Sequence, residues 1–178
     1  MRTIFVDRDG VINANRPDHV TSWEQLELLP GALDGLALLA QHDYTVVVIT
    51  NQAIVNRGLI TQAALDDLHR RLIDVVEQHG GRIAAVLACP HRPDEGCGCR
   101  KPAPGLLLQA RDELGASLEG AVLIGDHATD LEAAHRAGCS SILVLSGRTA
   151  AAPSPLPDGC RAVLADLHAA ARYLVEPR

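Results

Sequence analysis

Ile4-Phe5-Val6-Asp7-Arg8-Asp9-Gly10-Val11-Ile12 decides the fold. A short apolar run, too brief for a helix, stops at two acids separated by one residue. Such a run reads as a buried strand of a parallel sheet. The acids then stand in the crevice beyond the carboxyl ends of the strands, where such sheets keep their chemistry. Side chains at i and i+2 of an extended segment point the same way, so Asp7 and Asp9 are expected to face that crevice together. Gly10 lets the backbone leave the strand at once. Two carboxylates this close to buried backbone are unfavourable unless a cation or a shared proton relieves them.

Outward from this strand, apolar runs alternate with helical periodicity. Residues 31–41 place Leu33, Leu36, Leu39 and Ala40 at helical spacing, and the run at 44–49 ends at Thr50-Asn51-Gln52. Thr61 is the expected N-cap of a long helix with Leu65, Leu68, Leu72, Val75 and Val76 on one face, closed by Gly80-Gly81. Further strands are expected at 83–88, 121–124 and 141–145. Helices are expected at 105–115, around Leu131, Ala134 and Ala137, and at about 162–174 after a loop over 150–159 with three prolines. Strands alternating with helices require right-handed crossovers and a parallel sheet covered on both faces. The expectation is a doubly wound, three-layer α/β fold, a single domain over 1–178 with five strands and at most a small lid.

At 178 residues the chain can bury roughly two-thirds of its unfolded surface. Phe5, Trp23, Tyr44 and Tyr173 are the only aromatics, so Leu, Val, Ile and Ala must build the core. A net charge of -6 argues against broad nucleic-acid binding. No run approaches the ~20 apolar residues of a membrane span, and the N-terminus lacks the apolar core of a signal peptide. A cytoplasmic chain is expected, a monomer or small homo-oligomer with a small-molecule substrate and neither nucleic acid nor membrane as partner. Of 16 basic residues, only Lys101 is Lys, which points to a need for a compact ammonium there. Five cysteines, an odd number, argue against a disulfide framework.

Four strand ends or their neighbours carry complementary polar groups. They are Asp7 and Asp9; Thr50 and Asn51; Arg100 and Lys101 before the helix at 105; and Asp126, with Asp130 four residues on. Asp7 beside Asp126 would repel by about 4 kcal/mol at 4 Å with an effective dielectric near 20. Mg²⁺ held by Asp7, Asp9 and Asp126, with Asp130 in support, removes that repulsion and lets a carboxylate approach phosphate. Asp7 is the expected nucleophile, forming an aspartyl-phosphate, and Asp9 the general acid and base. Thr50 and Lys101 are expected to hold phosphoryl oxygens. A Walker loop, a dinucleotide fingerprint and a Gly-x-Ser-x-Gly elbow are all missing, so nucleotide and acyl-transfer chemistries lose their markers.

Asp7-Arg8-Asp9-Gly10-Val11, Thr50-Asn51, Lys101 and Gly125-Asp126 with Asp130 resemble the haloacid dehalogenase (HAD) superfamily of phosphohydrolases, in its order and over nearly the whole chain. That resemblance implies a Mg²⁺-dependent phosphatase without fixing its substrate.

Cys89-Pro90-His91 and Cys97-Gly98-Cys99 offer three thiolates and one imidazole, a set suited to tetrahedral structural zinc. One Zn²⁺ between them would staple a loop at 89–99 that has no core of its own, and aim Arg100 and Lys101 at the substrate. With Cys99-Arg100-Lys101-Pro102, this loop is similar to the zinc-loop branch of the superfamily that acts on D-glycero-D-manno-heptose 1,7-bisphosphate or histidinol phosphate. The similarity implies hydrolysis of the C7 phosphate of the sugar, with histidinol phosphate as the rival substrate. It also implies contacts to sugar or second phosphate from Asn51, Gln52, Ala53 and Arg100, with Asn15 to Asp18 as further candidates. Two positions depart from the branch: His127 stands where Lys is common, and Ile54 where Gly is. An imidazole is only partly charged near neutral pH, so Arg57 is expected to compensate. Other classes remain in view. A receiver-like phosphoacceptor domain has no need of the second acid, Asp9, and a nucleic-acid-binding zinc module needs more cations and aromatics.

Overall fold

The computed structural model describes residues 2–176; Met1, Pro177 and Arg178, within the expected 1–178 span, lie outside them. The strands are β1 (Arg2–Val6), β2 (Tyr44–Asn51), β3 (Ile83–Cys89), β4 (Val122–Gly125), β5 (Ser140–Val144) and β6 (Cys160–Leu164). The helices are α1 (Ala32–Gln41), α2 (Gln62–Gln78), α3 (Gly105–Leu114), α4 (Ala128–Arg136) and α5 (Leu167–Val175). All six strands form one parallel sheet in the order β3-β2-β1-β4-β5-β6.

Strand pleating sorts the core into two layers. Ile4, Val6, Val46, Val48, Val122 and Ile124 face one side, where α1, α2 and α5 cover them with Leu36, Leu72 and Leu167. Phe5, Val47, Ile49 and Leu123 face the other, under Leu106 and Leu107 of α3 and Ala133 and Ala134 of α4. Thr61 caps α2 as its sequence indicates, accepting a hydrogen bond from Ala64 N at 3.1 Å.

The C-terminal segment differs from expectation. Five strands were expected; the sixth, β6, lies where the last helix was to begin. Residues 162–164 pair with Ile142–Val144 at the sheet edge. The helix starts only after Asp166, whose Oδ1 accepts from Ala169 N at 2.8 Å. That cap fixes the helix start more firmly than the apolar periodicity at 162–174 could.

Candidate active site and metal centres

Strand order reverses between β1 and β4, and a crevice opens at that point beyond their carboxyl ends. Val6 lies opposite Ile124, and Asp7 N donates to Ile124 O at 2.9 Å, so Asp7 and Asp126 leave the sheet side by side. One carboxylate oxygen each from Asp7, Asp126 and Asp130 lies within 4.8 Å of the others. Lys101 Nζ meets Asp7 Oδ1 at 2.8 Å, Asp130 Oδ1 at 2.6 Å and Ile49 O at 2.9 Å. Three acceptors for three N–H bonds is a task for an ammonium, not for a planar guanidinium.

Each of these side chains is held in place by its neighbours. Asn51 clamps the Lys101 backbone, donating to its carbonyl at 3.1 Å and accepting from its N–H at 3.1 Å. Asp126 Oδ2 accepts from Asn15 Nδ2 at 2.9 Å and Arg148 N at 2.6 Å. A Cβ at Gly10 (φ +88) or Gly147 would run into that carboxylate, so the two glycines make its space. His127 opens α4: its ring accepts from Thr129 N, and its own N–H donates to Asp130 Oδ2 at 3.1 Å. That reciprocal cap aims Asp130 at Lys101.

The charge count is uneven. Three carboxylates against one ammonium leave two negative charges in a largely buried cluster. Burial pushes Asp7 up to about 7, with Asp130 and Asp126 adding to the shift, although Lys101 pulls it down. Burial also raises Asp126. For Lys101, burial alone would favour the neutral form, but Asp130 and Asp7 outweigh it and hold the side chain charged. One divalent cation balances the set, and three hard oxygen donors suit Mg²⁺.

Asp9 is placed differently from expectation. Its carboxylate, expected among the magnesium ligands, is drawn aside, and the third carboxylate near Asp7 and Asp126 belongs to Asp130. Arg8 Nη2 donates to both Asp9 oxygens at 2.9 and 3.0 Å, Asn13 Nδ2 donates at 2.8 Å and Gln52 Nε2 at 2.7 Å. Burial by itself would raise this carboxyl, but Arg8 and these donors hold it below the ordinary carboxylate range. Gln52 also donates to Thr50 Oγ1 at 2.9 Å, joining the ends of β1 and β2. Arg8 is fully buried and reaches back to His69 Nε2 at 3.0 Å. Burial and the guanidinium charge press the His69 pKa down to about 3.

A cavity of about 240 Å³ is lined by Asp7, Asp9, Thr50, Lys101, Asp126 and Asp130 together with every expected substrate contact except Pro17 and Asp18. Asp18 is exposed and paired with Arg16 at 2.8 Å; Arg16 itself lines the cavity. Arg57, Arg100 and Arg148 line it too. Sequence reasoning missed Arg148, although it follows the end of β5 as the other groups follow their strands. Arg8, Asn13 and His69 had no sequence signal, since nothing in their spacing sets them apart.

Cys89, His91, Cys97 and Cys99 converge beside this cavity. Five of the six distances among their donor atoms lie between 3.1 and 3.6 Å. A tetrahedron with zinc–sulfur arms of ~2.3 Å has edges of roughly 3.8 Å, so the four donors are spaced to close on one ion. Arg100 Nη1 donates to His91 O at 3.2 Å, tying the turn that carries Lys101 to this knot.

Comparison with known proteins matches these features to named relatives. The HAD-hydrolase-like family matches residues 98–170. The chain is 41% identical over 178 residues to D-glycero-beta-D-manno-heptose-1,7-bisphosphate 7-phosphatase of Bordetella bronchiseptica, covering 99% of both chains. It is 38% identical over 174 residues to the enzyme of that name from Pseudomonas aeruginosa, covering 97% of both. A crystal structure of D,D-heptose 1,7-bisphosphate phosphatase from B. bronchiseptica, complexed with magnesium and phosphate, superposes with a TM-score of 0.92 at 41% identity over 98% of each chain.

Proposed function

This chain belongs to the HAD superfamily, in its heptose-1,7-bisphosphate 7-phosphatase family, and on that premise we propose that it removes the C7 phosphate of D-glycero-D-manno-heptose 1,7-bisphosphate. The observation that carries the proposal is the meeting of Asp7, Lys101, Asp126 and Asp130 at the point where strand order reverses. Asp7, Asp126 and Asp130 would hold Mg²⁺, which when bound offsets the repulsion between a carboxylate and a phosphoryl group. The Cys89, His91, Cys97 and Cys99 set would hold a structural Zn²⁺ with no coordination position left open.

The chain's own residues then divide the reaction. An Asp7 oxygen attacks phosphorus, the bond from phosphorus to the C7 oxygen breaks, and Asp9 gives that oxygen a proton. Asp9 rests ionised beside Arg8, so it takes up that proton as the dianionic ester arrives and raises its proton affinity. Water next attacks phosphorus, losing its proton to Asp9, and the bond to Asp7 breaks to release phosphate. Thr50 donates to a remaining phosphoryl oxygen, and Lys101, whose N–H bonds go to Asp7, Asp130 and Ile49 O, supplies positive charge beside the oxygens onto which negative charge spreads. Asn51 acts on substrate through Lys101, whose backbone it clamps, and Gln52 through Asp9 and Thr50. Asn15 steadies Asp126, and Ala53 contributes cavity wall. Arg57, Arg100 and Arg148 supply cationic groups for the second phosphate, and His127 lines the same space.

Purified protein with Mg²⁺ should release one phosphate per heptose 1,7-bisphosphate, leaving the 1-phosphate. A higher kcat/KM for histidinol phosphate would reassign the substrate. Phosphorylation stopping at one equivalent per chain would favour a phosphoacceptor domain.

A further inference from the structure

Arg8 sits between the two reacting acids in sequence but belongs to a different layer. It continues the phase of Ile4 and Val6, which face α2, whereas Asp7 continues that of Phe5, toward α3 and α4. On α2, His69 stands among Leu65, Leu68 and Leu72, buried at 6% exposure, with Nε2 3.0 Å from Arg8 Nη1. Arginine has donors only, so Nε2 must accept, and the ring is neutral with its proton on Nδ1. The opposite edge of the guanidinium holds Asp9: Nε reaches Oδ1 at 3.3 Å, and Nη2 reaches Oδ1 at 2.9 Å and Oδ2 at 3.0 Å. A planar fork gripped at both edges has one orientation left. His69 is not among the residues lining the active-site cavity, so its route to the chemistry runs through Arg8.

We infer that His69 is a positioning residue: through Arg8 it fixes where the Asp9 carboxylate stands, and so the efficiency of proton delivery to the leaving C7 oxygen. The inference rests on the reading of Asp9 as general acid given above. Misplacing a reacting group by ~1 Å can lower a rate about 100-fold, and a general acid contributes roughly 100- to 10,000-fold, so the orientation of Arg8 has room to matter. Gln52 and Asn13 also hold Asp9, which limits the loss to part of that range.

The leaving group separates positioning from packing. The C7 alkoxide needs a proton to depart, whereas the phenolate of 4-nitrophenyl phosphate does not. kcat/KM covers the steps only through transfer of phosphorus to Asp7, so the later water step drops out. His69→Leu should lower kcat/KM for the heptose bisphosphate about 30-fold and for the aryl ester less than about 3-fold. His69→Gln, whose amide oxygen can accept from Arg8, should recover the sugar ester to within about 3-fold of wild type. If His69→Leu does not fold, His69→Asn, too short to reach Arg8, carries the same comparison. Equal losses on both esters, or none on either, overturn the inference while leaving the phosphatase reading intact. Absence of wild-type turnover on the sugar overturns that reading and the inference with it.

Discussion

Acid should weaken this protein partly through one imidazole. His69 is buried against a guanidinium, and burial first, then the Arg8 charge, hold its pKa down to about 3 despite the pull of Asp9. In the unfolded chain the same ring titrates at about 6.5. Between those values the unfolded state binds a proton that the folded state refuses, so stability is complete above 6.5 and is lost as pH falls toward 3. From pH 7 to pH 5.5 the unfolded ring goes from about one-quarter to about nine-tenths protonated while the folded ring stays neutral. At about 1.36 kcal/mol per pKa unit, that removes about 1.3 kcal/mol of stability, worth roughly 3–5 °C of Tm in a chain of this size. Thermal unfolding of wild type and His69→Gln, both zinc-loaded, at the two pH values isolates the effect, because the carboxylates and thiols common to both chains cancel in the double difference. The wild type should lose the additional 1.3 kcal/mol. An equal loss in both would mean that the folded ring titrates normally and does not face Arg8, and the reasoning would fail.

Asp7→Asn should reduce steady-state phosphate release at least about 1,000-fold while the protein still binds zinc, as measured by a phosphate assay beside elemental analysis. Lys101→Arg should cost about 100-fold in kcat, because a planar fork cannot serve Asp7, Asp130 and Ile49 O together; near-normal turnover would contradict that geometry. Gly147→Ala places a methyl against the Asp126 carboxylate and should raise the Mg²⁺ concentration for half-maximal activity several-fold, with little change in far-UV circular dichroism. Elemental analysis should find one zinc per chain, and Cys97→Ser should lower both metal content and kcat; full activity without zinc would detach the loop from Lys101.

What the sequence made legible followed from strand ends. Each apolar run that stopped at a polar group announced a residue in the crevice, because side-chain direction and chain exit are fixed locally in a parallel sheet. Asp7, Thr50 and Asp126 emerged this way, Lys101 stood out as the one lysine among sixteen basic residues, and the cluster of Cys89, His91, Cys97 and Cys99 emerged from its spacing. β6 did not, since a short edge strand with mixed burial shows no buried run and its pairing with β5 is decided across the sheet. The true setting of Asp9 was hidden for a related reason. Alternation correctly gave it a side of the strand, but Arg8, Asn13 and Gln52 converge on it only after the chain has folded around Gly10. His69 lies sixty-one residues from its partner, on a helix whose periodicity reports burial and says nothing of what is met there.

Under the proposed function, the arrangement of charge lets a chain whose net charge is -6 take a bisphosphate. At the switch point Asp7, Asp126 and Asp130 outnumber Lys101, so the floor of the cavity attracts a divalent cation and repels a bare phosphate. Arg16, Arg57, Arg100 and Arg148 line the same space, and Arg57 and Arg148 are exposed. A monophosphate engages only the floor and depends on the cation for most of its attraction. A second phosphate gains the guanidinium groups as well, in a setting where solvent leaves each pair a modest contribution but several act together. Discrimination between one and two phosphates should therefore weaken as ionic strength rises, while discrimination at the reacting phosphate, buried beside Lys101, should persist. KM for heptose 1,7-bisphosphate rising with salt at nearly constant kcat is the expected signature. A fall in kcat with unchanged KM would place the salt-sensitive charges at the reacting centre instead.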